Sequence, residues 1–306
     1  MDAAILATKR TKTISRLAEA FKRNGFSRAE FVNAKFLTLV SKSGKTFAAG
    51  GRHDLSSFDS VLLLLDLSLA PFVEPLLEEL WKQKIFCNVE VGAYYLNSNE
   101  ILQIVELAGS GCKTTRSVSG ASAESIRDSV RQLHYPVVFK SFAANKKTQT
   151  IIIESERSLL SILKGIKIPL DGVLAKELID ADLVECTVVG EKVFGLLRMW
   201  NGVEIAPLAK ARPAILTEWE KERAILAAKT CKCNIATVKM SKGFVTRVAP
   251  KIWFQEFRQK LGVDLYDEVA MHYRNVLEGR LVPRIKEKSI LDRLVEKVGD
   301  FFYGGE

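Results

Sequence analysis

Histidine is scarce in this chain: His53, His134 and His272 are the only three in 306 residues. That scarcity works against a zinc site, which is built from histidine, cysteine and carboxylate ligands at short spacings. The pair Cys231 and Cys233 forms a lone C-x-C with no histidine beside it, so it is not read as a metal site. There is no disulfide framework either. The five cysteines, Cys87, Cys112, Cys186, Cys231 and Cys233, are odd in number and irregular in spacing, as expected of reduced thiols in a cytoplasmic protein. No run is long and apolar enough to span a bilayer: the most apolar stretch, VLLLLDLSLAPFV from Val61, is broken by Asp66 and Pro71. Residues 3–8 are too short for a secretory signal and lack a cleavage pattern. Internal repeats and low-complexity linkers are also missing.

What remains is the composition of a soluble globular chain. With 47% apolar and 26% charged residues, it has enough material for a sizeable core. The formal charge of +9 permits an anionic partner. Most basic residues alternate with acidic ones on helix-like faces, which reads as solvated surface. Aromatic residues do not interleave with the basic clusters and no nucleic-acid motif stands out, so a nucleic-acid partner has no motif behind it.

In the first third, strand and helix patterns alternate. Residues 3–8 read as a buried strand, and 14–24 as a helix with Ile14, Leu17, Ala18 and Phe21 on one face. The basic turn between them, TKRTKT, lacks the glycines of a dinucleotide fingerprint and reads as solvated. Short strands follow at 30–33 and 36–41, the latter pairing with 45–48. A buried strand is expected at 60–67, a helix at 71–84 with Phe72, Leu76, Leu77, Leu80 and Trp81 inward, and a returning strand at 85–91. The pattern predicts a small α/β domain over residues 1–95.

A helix starts near Asn97, with Glu100 at the spacing of a capping box. GSGCKTT at 109–115 looks like a phosphate loop. However, Cys112 stands where a P-loop has glycine, and the stretch follows a helix rather than a strand, so it reads as a helix end and turn. TTRSV is a strand and 121–133 a helix. In the stretch from 135 to 198, YPVVFKS is a buried strand bringing in Lys140. The loop AANKKTQ, the strand TIIIES, a helix at 156–164, DGVLAKELI and the hairpin TVVGEKVFGLLR follow. Beyond it come a helix at 218–229, the hairpin CNIATVKM–SKG–GFVTRVAP, and helices in PKIWFQEFRQKLG and DLYDEVAMHYRNVLEG. A last amphipathic segment, 291–302, carries Leu291, Leu294, Val295, Val298 and Phe302 at helical spacing. It is expected to pack on the domain, with docking to a partner or a membrane surface as alternatives.

The motifs YPVVFK and AKELI, with VVGEKVFG at its spacing, resemble the ATP-grasp superfamily and are most similar to RimK-like carboxylate–amine ligases. The resemblance implies an α/β chain, α+β in its second part: a small Rossmann-like domain at 1–95, an ATP-grasp domain of two α+β subdomains at 96–280, and a C-terminal amphipathic helix at 281–306. It implies nucleotide contacts from Lys140, from Lys176 and Glu177 at the adenine hinge, from the backbone of Leu178 and Ile179, and from Arg198 and Arg247. Much of the family's chemistry is replaced. Its Asp-Lys pair falls on Asn99 and Glu100. The loop after Lys140 has no glycine to let backbone amides approach phosphate, although Lys146 and Lys147 lie in it. The Asp-x-Arg before the hairpin falls on Leu183 and Glu185. Arg198 lies one residue short of a family arginine, which matters because strand side chains alternate faces. The magnesium aspartate falls near Ala236 or Thr237, and the Glu-x-Asn on Arg247 and Ala249. No Asp or Glu occurs anywhere in 238–250, and an arginine there opposes a cation.

Three functions follow as alternatives. The first is a catalytically degenerate relative that binds ATP, another nucleotide or an anion, magnesium being disfavoured, or that serves as a scaffold or regulator beside an active ligase paralogue. The second is an ATP-dependent carboxylate–amine ligase with metal ligands relocated to acids such as Asp264, Asp267 or Glu268. The third is a basic nucleic-acid-binding module.

Overall fold

A computed structural model describes residues 1–42, 45–51, 53–142, 149–165, 172–202 and 204–281. The chain opens with β1 (Asp2–Ala7), α1 (Lys12–Arg23) and β2 (Arg28–Asn33), then the antiparallel ribbon β3 (Leu37–Lys42), β4 (Lys45–Gly50) and β5 (His53–Asp54). After it come β6 (Ser60–Leu63), α2 (Ala70–Lys82) and β7 (Phe86–Cys87). Strands β2-β1-β6-β7 form one parallel sheet. The continuous apolar run of β1 follows from cover on both faces. Ala3, Ile5 and Ala7 pack in one core with Ile14, Leu17 and Phe21 of α1, while Ala4 and Leu6 pack in another with Val73, Leu76 and Leu80 of α2.

Two short helices follow, α3 (Ala93–Ser98) and α4 (Glu100–Gly109). A second sheet, in the order β10-β9-β11-β8, is built from β8 (Ser117–Gly120), α5 (Ala123–Ile126), β9 (Val137–Phe142), β10 (Gln149–Ile153), α6 (Glu156–Gly165) and β11 (Gly172–Glu177). Val137, Phe139, Val173 and Ala175 point to one face, onto Ile126, Val130, Leu159 and Leu163. This core shares no buried side chain with the other two.

The third sheet comprises β12 (Leu183–Val189), β13 (Lys192–Arg198), β14 (Arg212–Pro213), then α7 (Glu218–Thr230), β15 (Ile235–Ser241) and β16 (Phe244–Ala249), in the order β14-β13-β12-β15-β16. On one face Cys186, Val188, Ala236, Val238 and Val248 pack with Ala224, Ala227 and Ala228 of α7 in the core that also holds α2. The first sheet and the third therefore share hydrophobic cores. Two helices complete the described chain, α8 (Phe254–Leu261) and α9 (Leu265–Leu277). Tyr273 of α9 packs edge-on to Phe21 and Phe86.

Several elements differ from the sequence reading. The strand expected at 60–67 ends at Leu63, because Asp66 accepts the Ser68 amide at 2.9 Å and opens a tight turn. The returning strand is only Phe86–Cys87. Trp81, expected inward, is 53% exposed. The helix expected at 121–133 is α5 and a separate 3-10 turn at Ser129–Gln132, in a segment rich in serine and charge that favours local turns. The amphipathic segment at 291–302 lies outside the described residues. No helix among the described residues is long and apolar enough to cross a membrane.

Candidate functional site

Strand pairing decides which side chains face the space between the second and third sheets. On β9 and β11, Lys140 is the register partner of Leu174, and Lys176 of Val138. Directly paired residues share a face, so both lysines lie opposite the core face of Phe139 and Ala175. On the third sheet Glu185, Lys239 and Arg247 form one row of partners, and Thr187, Thr237 and Ala249 the next. These rows share a face, opposite the one packed on α7. Arg198 pairs with Leu183 and its guanidinium lies 2.8 Å from Glu185, so its offset in the alignment leaves it on the same face.

The two sheets meet at Glu100. Its carboxylate lies 2.6 Å from Lys140 Nζ and 2.7 Å from Lys176 Nζ, and Arg247 approaches to 4.0 Å. The side chains of Lys140, Lys176 and Glu100 are 19%, 15% and 11% exposed, which makes this a largely desolvated cluster with positive charge in surplus. Burial opposes charging Glu100, but the two ammonium groups outweigh it and hold the carboxyl down to about 2. Burial also lowers Lys176, with Lys140 and Arg247 adding to the effect against the pull of Glu100.

The capping box expected between Asn97 and Glu100 does not form. Asn97 lies in the last turn of α3 instead, its side-chain amide donating to the carbonyls of Ala93 at 2.7 Å and Cys231 at 3.0 Å. Asn99 caps α4 by accepting the Leu102 amide at 3.1 Å, which leaves the first-turn Glu100 free to reach the lysines. Gln103 then fixes α4 on β16: its Nε2 donates to the Val248 carbonyl at 2.9 Å and its Oε1 accepts the Val248 amide at 3.0 Å. Next to it, Arg247 donates to the Asn97 carbonyl at 2.7 Å.

Not every predicted site residue joins the cluster. Glu177 lies on the opposite face of β11 from Lys176, and its carboxylate accepts the His134 amide at 2.9 Å and meets the ring Nδ1 at 2.9 Å. The Leu178 amide donates to the Pro136 carbonyl at 2.9 Å, and the Ile179 carbonyl accepts the Ala181 amide at 3.0 Å. Lys146 and Lys147 lie outside the described residues. The acids considered as relocated metal ligands have other partners. Asp264 accepts the Tyr266 amide, Asp267 pairs with Arg23 at 2.8 Å, and Glu268 pairs with Lys192 at 2.6 Å, at the far end of β13 from Arg198. Around Arg247 the described residues do not fit a divalent metal. The row partners on β15 and β16 are Lys239, Thr237 and Ala249, Glu185 is engaged by Arg198, and no group of three His, Cys, Asp or Glu among the described residues is arranged to hold an ion.

No protein-family model matches the sequence, and no curated protein is detectably similar to it. Solved structures are another matter. A RiPP-associated ATP-grasp ligase from Chryseobacterium gregarium, in complex with ADP and a leader and core peptide, superposes with a TM-score of 0.67 at 14% identity, over 94% of this chain and 99% of that one. The chain has the ATP-grasp fold. The ATP-grasp ligase PsnB, complexed with minimal precursor, Mg and ADP, matches with a TM-score of 0.64 at 13% identity, over 91% of this chain and 97% of that one. A RimK-domain ATP-grasp protein from Sphaerobacter thermophilus matches with a TM-score of 0.64 at 16% identity, over 88% and 98%. The ATP-grasp resemblance read from YPVVFK and VVGEKVFG thus holds at the level of the fold, over nearly the whole chain. The sequence reading missed the role of Glu100. It marked the position as an acid replacing a phosphate-binding lysine, but nothing local signals that the carboxylate itself sits between two lysines.

Proposed function

We propose that this chain is a catalytically degenerate ATP-grasp protein that binds a nucleotide or comparable polyphosphate anion between its second and third sheets. It does so on fixed protein cations, without carboxylate-held magnesium. The observation that carries this reading is the convergence of Lys140, Lys176 and Arg247, from three strands, on the one carboxylate of Glu100. Cations that desolvate around a carboxylate oxygen can hold phosphate oxygens by the same charge-assisted hydrogen bonds. Arg247 supplies permanently the positive charge that a metal ion supplies in a working ligase. Arg198 and the backbone hinge at Leu178 and Ile179 complete the proposed nucleotide contacts; Glu177, on the opposite face of β11 and engaged by His134, is not among them.

The solved relatives described above carry ADP and precursor peptides. For this chain those ligands support binding of a nucleotide and of a peptide or protein partner; our reading is a scaffold or regulatory role in the cytoplasm, in which nucleotide occupancy is coupled to a partner such as an active ligase paralogue. Residues 1–95 and 96–280 act as the two working units in this reading. Isothermal titration with ATP tests it: affinity is expected to be the same in EDTA as in excess magnesium. Binding that strictly requires magnesium overturns it. ADP formation in the presence of an amino acid or peptide acceptor would replace it with the ligase reading.

A further inference from the structure

We propose that Asn97 and Gln103, two buried amides across the α3–α4 junction, are positioning residues that aim Arg247 at the anion site, and that the aimed guanidinium selects condensed phosphates over a single phosphate. The inference rests on the anion-binding reading above and deepens it: the lysines take one phosphate and Arg247 the next.

Gln103 is 1% and Asn97 0% exposed. Burying two amides is tolerated when their hydrogen bonds are made, and here they are. Gln103 Nε2 donates to Asn97 Oδ1 at 2.8 Å as well as to the Val248 carbonyl. The Asn97 amide ties the junction to the end of α7 through the Cys231 carbonyl. β16 is an edge strand, and Gln103 meets both backbone groups of Val248 as a neighbouring strand would. The residue before Val248 is Arg247. Its main chain is thus fixed from one side by Gln103, and its Nη2 is held by the Asn97 carbonyl at 2.7 Å. The guanidinium is oriented before any ligand arrives, which lowers the ordering cost of binding.

Nη1 is the end that faces the site. It lies 4.0 Å from Glu100 Oε2, too far for a hydrogen bond, whereas the same carboxylate meets the two lysines at 2.6 and 2.7 Å. A group the size of one carboxylate therefore satisfies the lysines and stops short of the arginine. A second phosphate joined to the first extends across that gap and accepts a charge-assisted hydrogen bond from Nη1. The Arg247 side chain is 28% exposed, so the cluster borders solvent. Nη1 itself is buried, and a ligand reaches it by taking the place of the Glu100 carboxylate.

The test is isothermal titration in EDTA with orthophosphate and with pyrophosphate. Pyrophosphate carries more charge and gains at any cationic site, so the ratio of the two affinities is followed through variants. Arg247→Lys keeps the charge but cannot hold the Asn97 carbonyl with one end and the ligand with another. It is expected to cut the preference for pyrophosphate about tenfold, the worth of one charge-assisted hydrogen bond. Gln103→Met, close in shape and without the amide, is expected to cut it by a similar factor and to add little to Arg247→Lys in the double variant. Thermal melts establish that each variant is folded. Arg247→Lys leaves both buried amides in place, so its result stands whether or not Gln103→Met folds. Full preference retained in Arg247→Lys would overturn the aiming, because charge alone would suffice. Equal loss of both affinities in a folded Gln103→Met protein would overturn the positioning role, because Gln103 would then support the whole site and not Arg247. If the unaltered protein binds the two anions equally, the selectivity falls and the anion-binding reading stands. If no phosphate binds at all, both fall.

Discussion

Glu100 and Lys176 form a 2.7 Å ion pair between the first turn of α4 and a strand 76 residues later in the chain, and Lys140 closes on the same carboxylate from the neighbouring strand. Glu100→Gln leaves two largely buried ammonium groups without their counter-ion. The expected cost is about 3 kcal/mol, seen as a lower melting temperature. Inorganic triphosphate should then stabilise the variant more than the parent and bind it about tenfold tighter, because it no longer competes with an internal carboxylate. Equal triphosphate affinity in the two proteins would remove Glu100 from the anion site.

The same residue sets an acid limit. Its carboxyl is held at about 2 in the folded protein, against 4.5 for an unperturbed glutamate. A depressed folded value means that the unfolded chain takes the proton more readily. The contribution, about 3 kcal/mol, is therefore complete above pH ~4.5 and drains away as the pH falls toward 2. Denaturant titrations of the parent protein and of Glu100→Gln should diverge least near pH 2 and most above pH 5. A difference that does not vary with pH would mean that Glu100 is not the titrating group.

Arg198 and Glu185 offer a test of the third sheet. Arg198→Met strands a carboxylate that is 1% exposed, and a loss of about 3–5 kcal/mol is expected. Combining it with Glu185→Met should recover most of that loss, since two apolar side chains replace a desolvated pair. A double-mutant cycle by urea unfolding reads the coupling directly. Additive losses would mean that the two side chains do not interact in solution.

Gly190 fixes the hairpin that presents both residues. It has φ +58°, and a β-carbon there would lie 2.6 Å from His272 Nδ1. Gly190→Ala combines left-handed backbone strain with a clash against α9, so a loss of about 2 kcal/mol or more is expected on chemical denaturation. A neutral result would show that the turn relaxes around the new methyl group.

Much of this fold can be read from short stretches. In YPVVFK and AKE the period-two alternation already separates Lys140 and Lys176 from the core side, and it also separates Lys176 from Glu177, which the structure sends to His134. The first glycine in VVGEKVFG, Gly190, marks a turn that only a left-handed residue fits comfortably. The meeting at Glu100 could not be read this way, because its causes are remote in sequence. The break between α3 and α4 depends on Asn97 reaching the Cys231 carbonyl, and the seat of α4 on Gln103 bonding both backbone groups of Val248. Local spacing favoured a single helix starting near Asn97, and only tertiary contacts overrule it. Trp81 failed in the opposite sense: its place in an apolar helical pattern implied burial, but the face it occupies lies past the edge of what α2 covers.

The separate core of the second sheet has a mechanical consequence. Because Phe139, Ala175 and their neighbours form a core of their own, that sheet can tilt away from α4 and β16 with this core intact, uncovering only side chains of its opposite face such as Leu174. The resistance at this seam comes in good part from polar contacts, and the strongest of these converge on Glu100. A hinge closed in good part by desolvated charge is weakly screened by salt but open to anions that compete for the same cations, so the joint between the lobes answers to the ligands in the solution around it.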